Sequence, residues 1–303
     1  MAQGMKELRR RIRSVTSIQK ITRAMEMVAT TRLRRMQMRA EGARPYADAI
    51  KGFSALLAGG GKNLVSPLTL ARPKVSRIAL LLVSSDRGLC GAYNANLFRK
   101  ASLFLNEKIA AAKAAGIDLG VDLYVLGKKA KQHYAKRMTV KVAYPDEVEK
   151  LTARRAREIT RELTDAFLTG GVDEIHLLFT RFISVGRQLT TVDRLLPVTA
   201  DEAAKQDVAK GGAAVAGSEQ ILLEPSPQEL FDALLPKSLA MRVYAALLDS
   251  MASEQAARRM AMKAATDAAG EMIGALTRKY NRARQETITK ELLDIVGGAE
   301  ALA

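Results

Sequence analysis

The residues with the strongest claim to chemistry run Ser84-Ser85-Asp86-Arg87-Gly88-Leu89-Cys90-Gly91-Ala92-Tyr93-Asn94. They follow an apolar run, where a phosphate-cradling loop would sit, and gather hydroxyls, a carboxylate, a thiol and an amide. A dinucleotide fingerprint needs G-x-G-x-x-G and an acid near the end of the second strand. Here only Gly88-x-x-Gly91 is present, and the second strand candidate ends in Gly127-Lys128-Lys129. The Walker pattern G-x-x-x-x-G-K-[ST] is absent as well. Cys90 beside Asp86 suggests a thiol nucleophile, yet His133 and His176 fall in other elements and no third member accompanies them. The expected role of Gly88 and Gly91 is therefore a tight structural turn, with Cys90 packed as a small apolar group. His176, inside an apolar strand, is expected to be packed too. No catalytic, cofactor-binding or metal-ligating set is expected, because two His and one Cys are too few for a typical structural zinc site.

The elements that must hold this loop alternate between short apolar runs and amphipathic ones. Arg77–Ser84 reads as a fully buried strand, followed by a helix over Asn94–Ala115 and a strand over Val121–Leu126. A helix near Lys128–Lys136, a short strand at Met138–Val142, a helix at Leu151–Leu168 and a strand at Glu174–Phe179 continue the pattern. Gly186 divides Phe182–Val185 from Gln188–Val198, which predicts a hairpin. Alternation of this kind implies a small, mostly parallel sheet, doubly wound in outline. The outline alone licenses no cofactor.

The two ends have a different texture. Leu8, Ile12, Val15, Ile18, Ile21, Met25 and Val28 recur at steps of three and four, predicting one apolar stripe on a long helix. Gly42 and Pro45 are expected to bend or briefly interrupt that helix, which ends at Gly59-Gly60-Gly61. Some 50 residues would reach roughly 75 Å. At the other end, Ser226-Pro227-Gln228-Glu229 fits a capping box. Pro236 should kink or restart the helix. Ile273, Leu276, Tyr280, Ile288, Leu292 and Ile295 then keep heptad-like steps. The expected organisation is an N-terminal helix over 1–60, an α/β domain over 75–200, a flexible loop over 201–220 and a C-terminal helix over 221–303. The two apolar stripes can bury one another.

Composition narrows the function classes. Aromatic residues are 5% of the chain and Trp is absent, which fits Ala-rich helix packing better than a base-stacking surface. The longest apolar run, Ile78–Val83, is far short of the about 20 residues a bilayer requires, so no membrane insertion is expected. A single cysteine excludes an internal disulfide framework. The N-terminus lacks the apolar core of a signal peptide. The net charge is +16, and more than half of the excess precedes residue 40. Such a face meets solvent or an acidic partner: nucleic acid, anionic lipid or acidic protein loops.

Four separated stretches carry a resemblance that covers nearly the whole length. They are Ile18–Ala29 (IQKITRAMEMVA), Ser85–Gly91 (SDRGLCG), Ser253–Asp267 (SEQAARRMAMKAATD) and Arg284–Ala299 (RQETITKELLDIVGGA). Together they closely resemble the gamma subunit of bacterial F-type ATP synthases. The resemblance implies a long antiparallel two-helix coiled coil made by the N- and C-terminal segments, plus a central Rossmann-like α/β domain. It implies a central rotor shaft, itself non-catalytic, that couples proton-driven rotation of the membrane c-ring to conformational change at the catalytic beta subunits.

Carried over residue by residue, Arg284, Gln285 and Thr289 match the family's upper contact with beta. Lys20, Arg23, Met25, Arg32, Arg34 and Arg35 match its N-helix contact region. Glu224 resembles the base segment near the c-ring and epsilon, although the family's usual aromatics there are replaced by Gln220, Ile221 and Leu222. Implied partners are the alpha, beta and epsilon subunits and the c-ring, with one copy per complex and neither nucleic acid nor cofactor. The implied place is the cytoplasmic face of the bacterial inner membrane, peripherally bound. No cysteine falls in 201–218, so the thiol regulation of plastid relatives is not expected. The alternatives are a basic coiled-coil nucleic-acid-binding protein and, on the central fold alone, a dinucleotide enzyme.

Overall fold

A computed structural model of the chain describes residues 2–59, 65–146, 148, 151–198 and 226–300. In chain order the elements are α1 (Ala2–Gly59), β1 (Arg77–Val83), α2 (Tyr93–Ala114), β2 (Gly120–Leu126), α3 (Lys128–Tyr134) and β3 (Val140–Tyr144). They continue with α4 (Ala153–Leu168), β4 (Glu174–Ser184), β5 (Arg187–Leu196) and α5 (Pro227–Glu300). The loop expected over 201–220, Glu224 and the glycines at 60 and 61 lie outside the described residues.

The five strands form one sheet in the order β3-β2-β1-β4-β5. All pairs are parallel except β4–β5, the expected hairpin. Its first arm is longer than the sequence suggests, because Glu174–Phe179 and Phe182–Ser184 are one strand. β1 is central and apolar on both faces, as a parallel strand covered on each side must be. Ala79, Leu81 and Val83 join one core with Ile159, Leu163 and Phe167 of α4. Ile78, Leu80 and Leu82 join a second core with Leu97, Ala101 and Leu105 of α2 and with Ala130 and Tyr134 of α3. The helices therefore lie on both faces, as a doubly wound sheet requires. α4 starts at Thr152, whose side chain accepts from the Arg155 N–H at 3.2 Å.

The chain divides into two compact units, Arg32–Ala257 and Met1–Thr31 with Arg258–Ala303. The first holds the sheet together with parts of both long helices. Leu33 and Met36 of α1, and Leu235, Leu239, Val243 and Leu247 of α5, are buried in the α4-side core. This packing accounts for one difference from expectation. Pro236 neither ends nor restarts α5, which begins at Pro227 and continues through it. An interior proline costs about 3 kcal/mol. Burying Leu235 and Leu239 beside it, at about 1.5–3 kcal/mol each, outweighs that cost. Pro45 likewise lies inside α1 without interrupting it. The capping pattern ahead of α5 forms, with the Glu229 N–H donating to Ser226 Oγ at 3.2 Å and that hydroxyl donating to Glu229 Oε1 at 2.9 Å.

In the second unit, segments of α1 and α5 pack on each other. Thr22 and Thr266 hydroxyls are 2.7 Å apart, and Gln19 Nε2 donates to the Thr266 carbonyl at 3.5 Å. Arg9 lies over the Tyr280 ring at 5.9 Å. Facing positions thus rise in one segment as they fall in the other, so the two run in opposite directions. Leu8, Ile12, Val15, Gln19, Thr22, Glu26 and Ala29 are covered and recur at alternating steps of four and three, with Thr16, Met25 and Thr30 half-covered beside that line. This corrects the expected stripe at Ile18, Ile21 and Val28, while Met25 is half-covered. Ile18, Ile21 and Val28 are 50%, 59% and 53% exposed. Steps of three drift backwards around a helix of 3.6 residues per turn, whereas a heptad seam stays on one line. From Gln19 on, polar and small residues with a hydroxyl pair occupy that line; a Cβ on Gly270 would sit 3.1 Å from Gln19 Nε2.

At the start of β4, Glu174 joins two elements. Its Oε2 accepts from His176 Nε2 at 2.8 Å and from Lys108 Nζ at 2.7 Å, and the Phe104 ring meets His176 edge-on. The hydrogen bond from His176 and, against burial, the one from Lys108 hold the Glu174 carboxyl down at about 2, below its ordinary 4.5. A depressed folded-state value gives stability that is complete above the unfolded value and lost as pH falls through the folded one. Glu174→Gln should therefore lose about 2 kcal/mol of stability at pH 7. Denaturant titrations should see that loss shrink steadily between pH 4.5 and pH 2.

Candidate functional site

In a doubly wound sheet the ligand site lies beyond the carboxyl ends of the strands, where the strand order reverses. Here that point falls between β1 and β4. The loop after β1 spends its polar groups on itself. The Ser85 N–H donates to Asn94 Oδ1 at 3.3 Å, Asn94 Nδ2 donates to Ser85 Oγ at 2.8 Å, and Ser85 Oγ donates to the Arg87 carbonyl at 2.7 Å. Asp86 Oδ1 accepts from the Lys128 and Asp146 N–H groups at 3.0 and 3.1 Å. Asp86 thus ties the loop after β1 to the segments that follow β2 and β3. Gly91 is in the left-handed region at φ 57°. Gly127, at φ 99°, passes so close that a Cβ would sit 2.6 Å from the Ser84 carbonyl oxygen.

The crevice itself is filled by α5. β4 continues past the last residue that β1 pairs, Leu178, so Thr180 needs other partners. The Thr180 N–H donates to Ser250 Oγ at 3.0 Å, and Ser253 Oγ donates to the Thr180 carbonyl at 3.0 Å. Both serines are fully buried, with Glu254 beside them. Tyr93, at the start of α2, is buried there as well and directs its hydroxyl at the Val83 carbonyl at 3.4 Å. Burial, and next the Glu254 charge, push its phenol far above the ordinary range. The end of β4 is thus hydrogen-bonded by the chain's own α5.

No nucleophile–base pair assembles around Cys90. The thiol is buried, within 3.3 Å of Asn94 Nδ2. His133 stacks on Phe98 and His176 binds Glu174. Among the described residues, no group of three or more His, Cys, Asp or Glu could hold a metal ion.

The contact residues expected from the sequence are spread over a surface. Lys20, Arg23, Arg34 and Arg35 are exposed along α1, whereas Met25 and Arg32 are half-covered. Arg284, Gln285 and Thr289 are exposed on α5. The structure does not bring these groups together. Thr22 faces Thr266, and Gln285 lies about 28 Å further along α5 at 1.5 Å per residue. Among the described residues Lys20, Arg23, Arg34 and Arg35 form no ion pair. Beside them Ile18, Ile21, Met27 and Val28 are exposed. On α5, Ile288, Leu292, Leu293, Ile295 and Val296 are exposed too. The sequence reading missed Ser250 and the role of Ser253. Their signal was weak, because Asp249, Glu254 and Gln255 share the run Leu247–Ala256 with them and make it mixed rather than apolar.

A sheet whose ligand crevice is closed by its own helix, joined to a helical unit with exposed cations and apolar side chains, defines a scaffold that works through protein contacts. The ATP synthase family profile matches residues 4–302. The ATP synthase gamma chain of Mycolicibacterium smegmatis is 44% identical over 100% of this chain and 99% of its own. That of Chlorobaculum tepidum is 41% identical over 98% of each. The chain belongs to the ATP synthase gamma chain family. Its fold also matches chains in the Euglena gracilis mitochondrial ATP synthase. One is in the F1/c-ring assembly (TM-score 0.67, 17% identity, 100% of this chain and 95% of that one). Another is in the rotor (TM-score 0.62, 17% identity, 95% and 100%). The comparisons give the nucleic-acid alternative no support.

Removing both crevice hydroxyls tests the self-filled site. Ser250→Ala with Ser253→Ala leaves a buried N–H and a buried carbonyl of Thr180 without these partners. The chain should lose about 2–4 kcal/mol in urea unfolding, and added nucleotide should not restore it.

Proposed function

We propose that this chain is the central rotor shaft of an F-type ATP synthase. In that role it couples proton-driven rotation of the c-ring to conformational change at the catalytic beta subunits, and it is itself non-catalytic. The observation that carries this reading is the surface of the helical unit. A shaft turning among several partners must present groups not already committed within the chain. Lys20 and Arg23 of that unit, like Arg34 and Arg35 of α1 in the other unit, have no internal counter-ion among the described residues. Pairing positions between α1 and α5 sum to about 289, taking Arg9 with Tyr280 as the example. Residues beyond about 287 of α5 therefore face no residue of α1, and five large apolar side chains there are exposed. Exposed apolar patches of that kind mark interaction surfaces.

In this reading the opposed α1 and α5 segments form an antiparallel coiled coil. The C-terminal end of α5 lies within a ring of alpha and beta subunits. Lys20, Arg23, Met25, Arg32, Arg34 and Arg35 meet beta along the N-terminal helix, and Arg284, Gln285 and Thr289 meet it higher up. Glu224 and the residues around it face epsilon and the c-ring. One copy serves each complex, held peripherally at the cytoplasmic face of the bacterial inner membrane. No described helix is long and apolar enough to cross a membrane. Rotation presents each beta subunit in turn with a different face, which is allostery delivered by moving the effector itself.

Two experiments test these statements separately. Arg284→Ala with Gln285→Ala removes one charged and one polar contact, about 1.5 kcal/mol or more. In reconstituted vesicles, coupled ATP synthesis should fall on the order of tenfold, with the circular dichroism and melting of the chain unchanged. Unaltered coupling would remove these residues from the beta contact. The helix pairing has its own test in Thr22→Cys with Thr266→Cys. Oxidation should close an intramolecular disulfide in nearly every molecule, whereas Thr22→Cys with Lys279→Cys should stay reduced.

A further inference from the structure

A groove between α2 and α3 is used by neither surface described above. Phe98, Arg99 and Ser102 line it from α2, and His133, Tyr134 and Arg137 line it from α3 and the turn that follows; its volume is about 660 Å³. Small-molecule sites span roughly 300–1,000 Å³. Its lining is aromatic. Phe98 and His133 stack at 4.1 Å between ring centroids, and Tyr134 meets them edge-on at 5.8 and 4.8 Å. Burial, and then the neighbouring Arg137, push the His133 pKa down, which disfavours a charge on the platform.

The polar groups around this platform are out of balance. Arg99 Nη2 donates to Asn96 Oδ1 at 3.2 Å, and Arg137 Nη1 lies 2.8 Å from His133 Nδ1. Neither guanidinium has a carboxylate partner among the described residues, and no acidic residue lines the groove. Lys100, Lys131 and Lys136 are exposed on the same stretches and raise the positive potential further. Tyr134 is buried, and its hydroxyl has no hydrogen-bond partner among the described residues. A buried hydroxyl without a partner costs about 1–3 kcal/mol.

We propose that this groove binds a compact organic anion with an aromatic body. Its ring lies against the Phe98–His133 platform and its acidic group lies between Arg99 and Arg137. This site is independent of the rotor reading, since it uses no residue of α1 or α5.

The test titrates the full-length chain with 8-anilinonaphthalene-1-sulfonate and with its neutral counterpart N-phenyl-1-naphthylamine, read by amide NMR shifts. The sulfonate should shift amides of residues 95–102 and 133–138 and bind about tenfold tighter than the neutral ring. Arg99→Gln with Arg137→Gln should abolish that preference while leaving the rest of the spectrum in place. Phe98→Leu, which keeps an apolar side chain, should weaken both probes. Shifts confined to the apolar end of α5, equal affinity for the two probes, or an unchanged preference in the arginine variant would each overturn the proposal.

Discussion

Thr180 is the residue on which the sheet's unit turns. β4 outlasts its parallel neighbour, and the exposed edge offers an N–H and a carbonyl where β1 has already left the sheet. Unpaired backbone groups inside a protein are rare because each forfeits a hydrogen bond to water. Ser250 and Ser253 answer both from one turn of α5. Three residues apart, they lie on the same helical face, so α5 has only one rotation about its axis that serves both bonds. The apolar positions Leu239, Val243, Leu247 and Met251 then fall on the sheet. Polar and apolar requirements fix the same orientation, which is the consistency expected of a sequence that specifies one structure.

That arrangement also explains why the loop after β1 looks like a binding motif and does not act as one. A phosphate loop leaves its N–H groups free and keeps acids away from them. Here Asp86 caps the starts of two neighbouring segments through Lys128 and Asp146, and Asn94 closes the turn on Ser85. Ser84 Oγ donates to the Leu126 carbonyl and accepts from the Ala130 N–H, at 3.0 and 2.9 Å. Gly127 must be glycine for this approach, since its φ of 99° and its contact with Ser84 both exclude a side chain. The residue types of a binding loop are present, but each is committed to joining β1, β2 and the segments that follow them.

Much of this was legible in the sequence. The run Arg77–Val83 could only be a strand covered on both faces, and the strand–helix alternation gave the sheet its outline. The hairpin followed from Gly186. What escaped detection depended on tertiary partners. The α1 stripe was read through Ile18, Ile21 and Val28 because they are large and apolar, yet Gln19, Thr22 and Ala29 are covered instead. Hydropathy gives no reason to bury Thr22; the facing Thr266 hydroxyl at 2.7 Å does. Pro236 was read as a break because propensity is local, while the burial that offsets it comes from the sheet core. The contact residues were legible only through resemblance, since an exposed arginine carries no signature of the partner it awaits.

The misread stripe bears on how the helical unit works. Had Ile18, Ile21 and Val28 formed the seam, the surface of α1 would be almost wholly charged and polar. From Gln19 on, the observed seam takes Gln19, Thr22, Glu26 and Ala29 inward and turns Ile18, Ile21 and Val28 outward, beside Lys20 and Arg23. Folding alone would not favour that exchange, because burying a leucine or isoleucine stabilises by about 1.5–3 kcal/mol and a threonine pair offers less. In the rotor reading proposed above, the apolar side chains left outside are surface for partners to cover. Small residues in the seam let the helices approach closely, and the hydroxyl pair favours one register over neighbouring ones, as a polar group in an apolar seam does. Register matters more for a shaft than for a bundle. A slip of one heptad would leave the seam packed, yet shift every outward contact by about 10 Å along the axis.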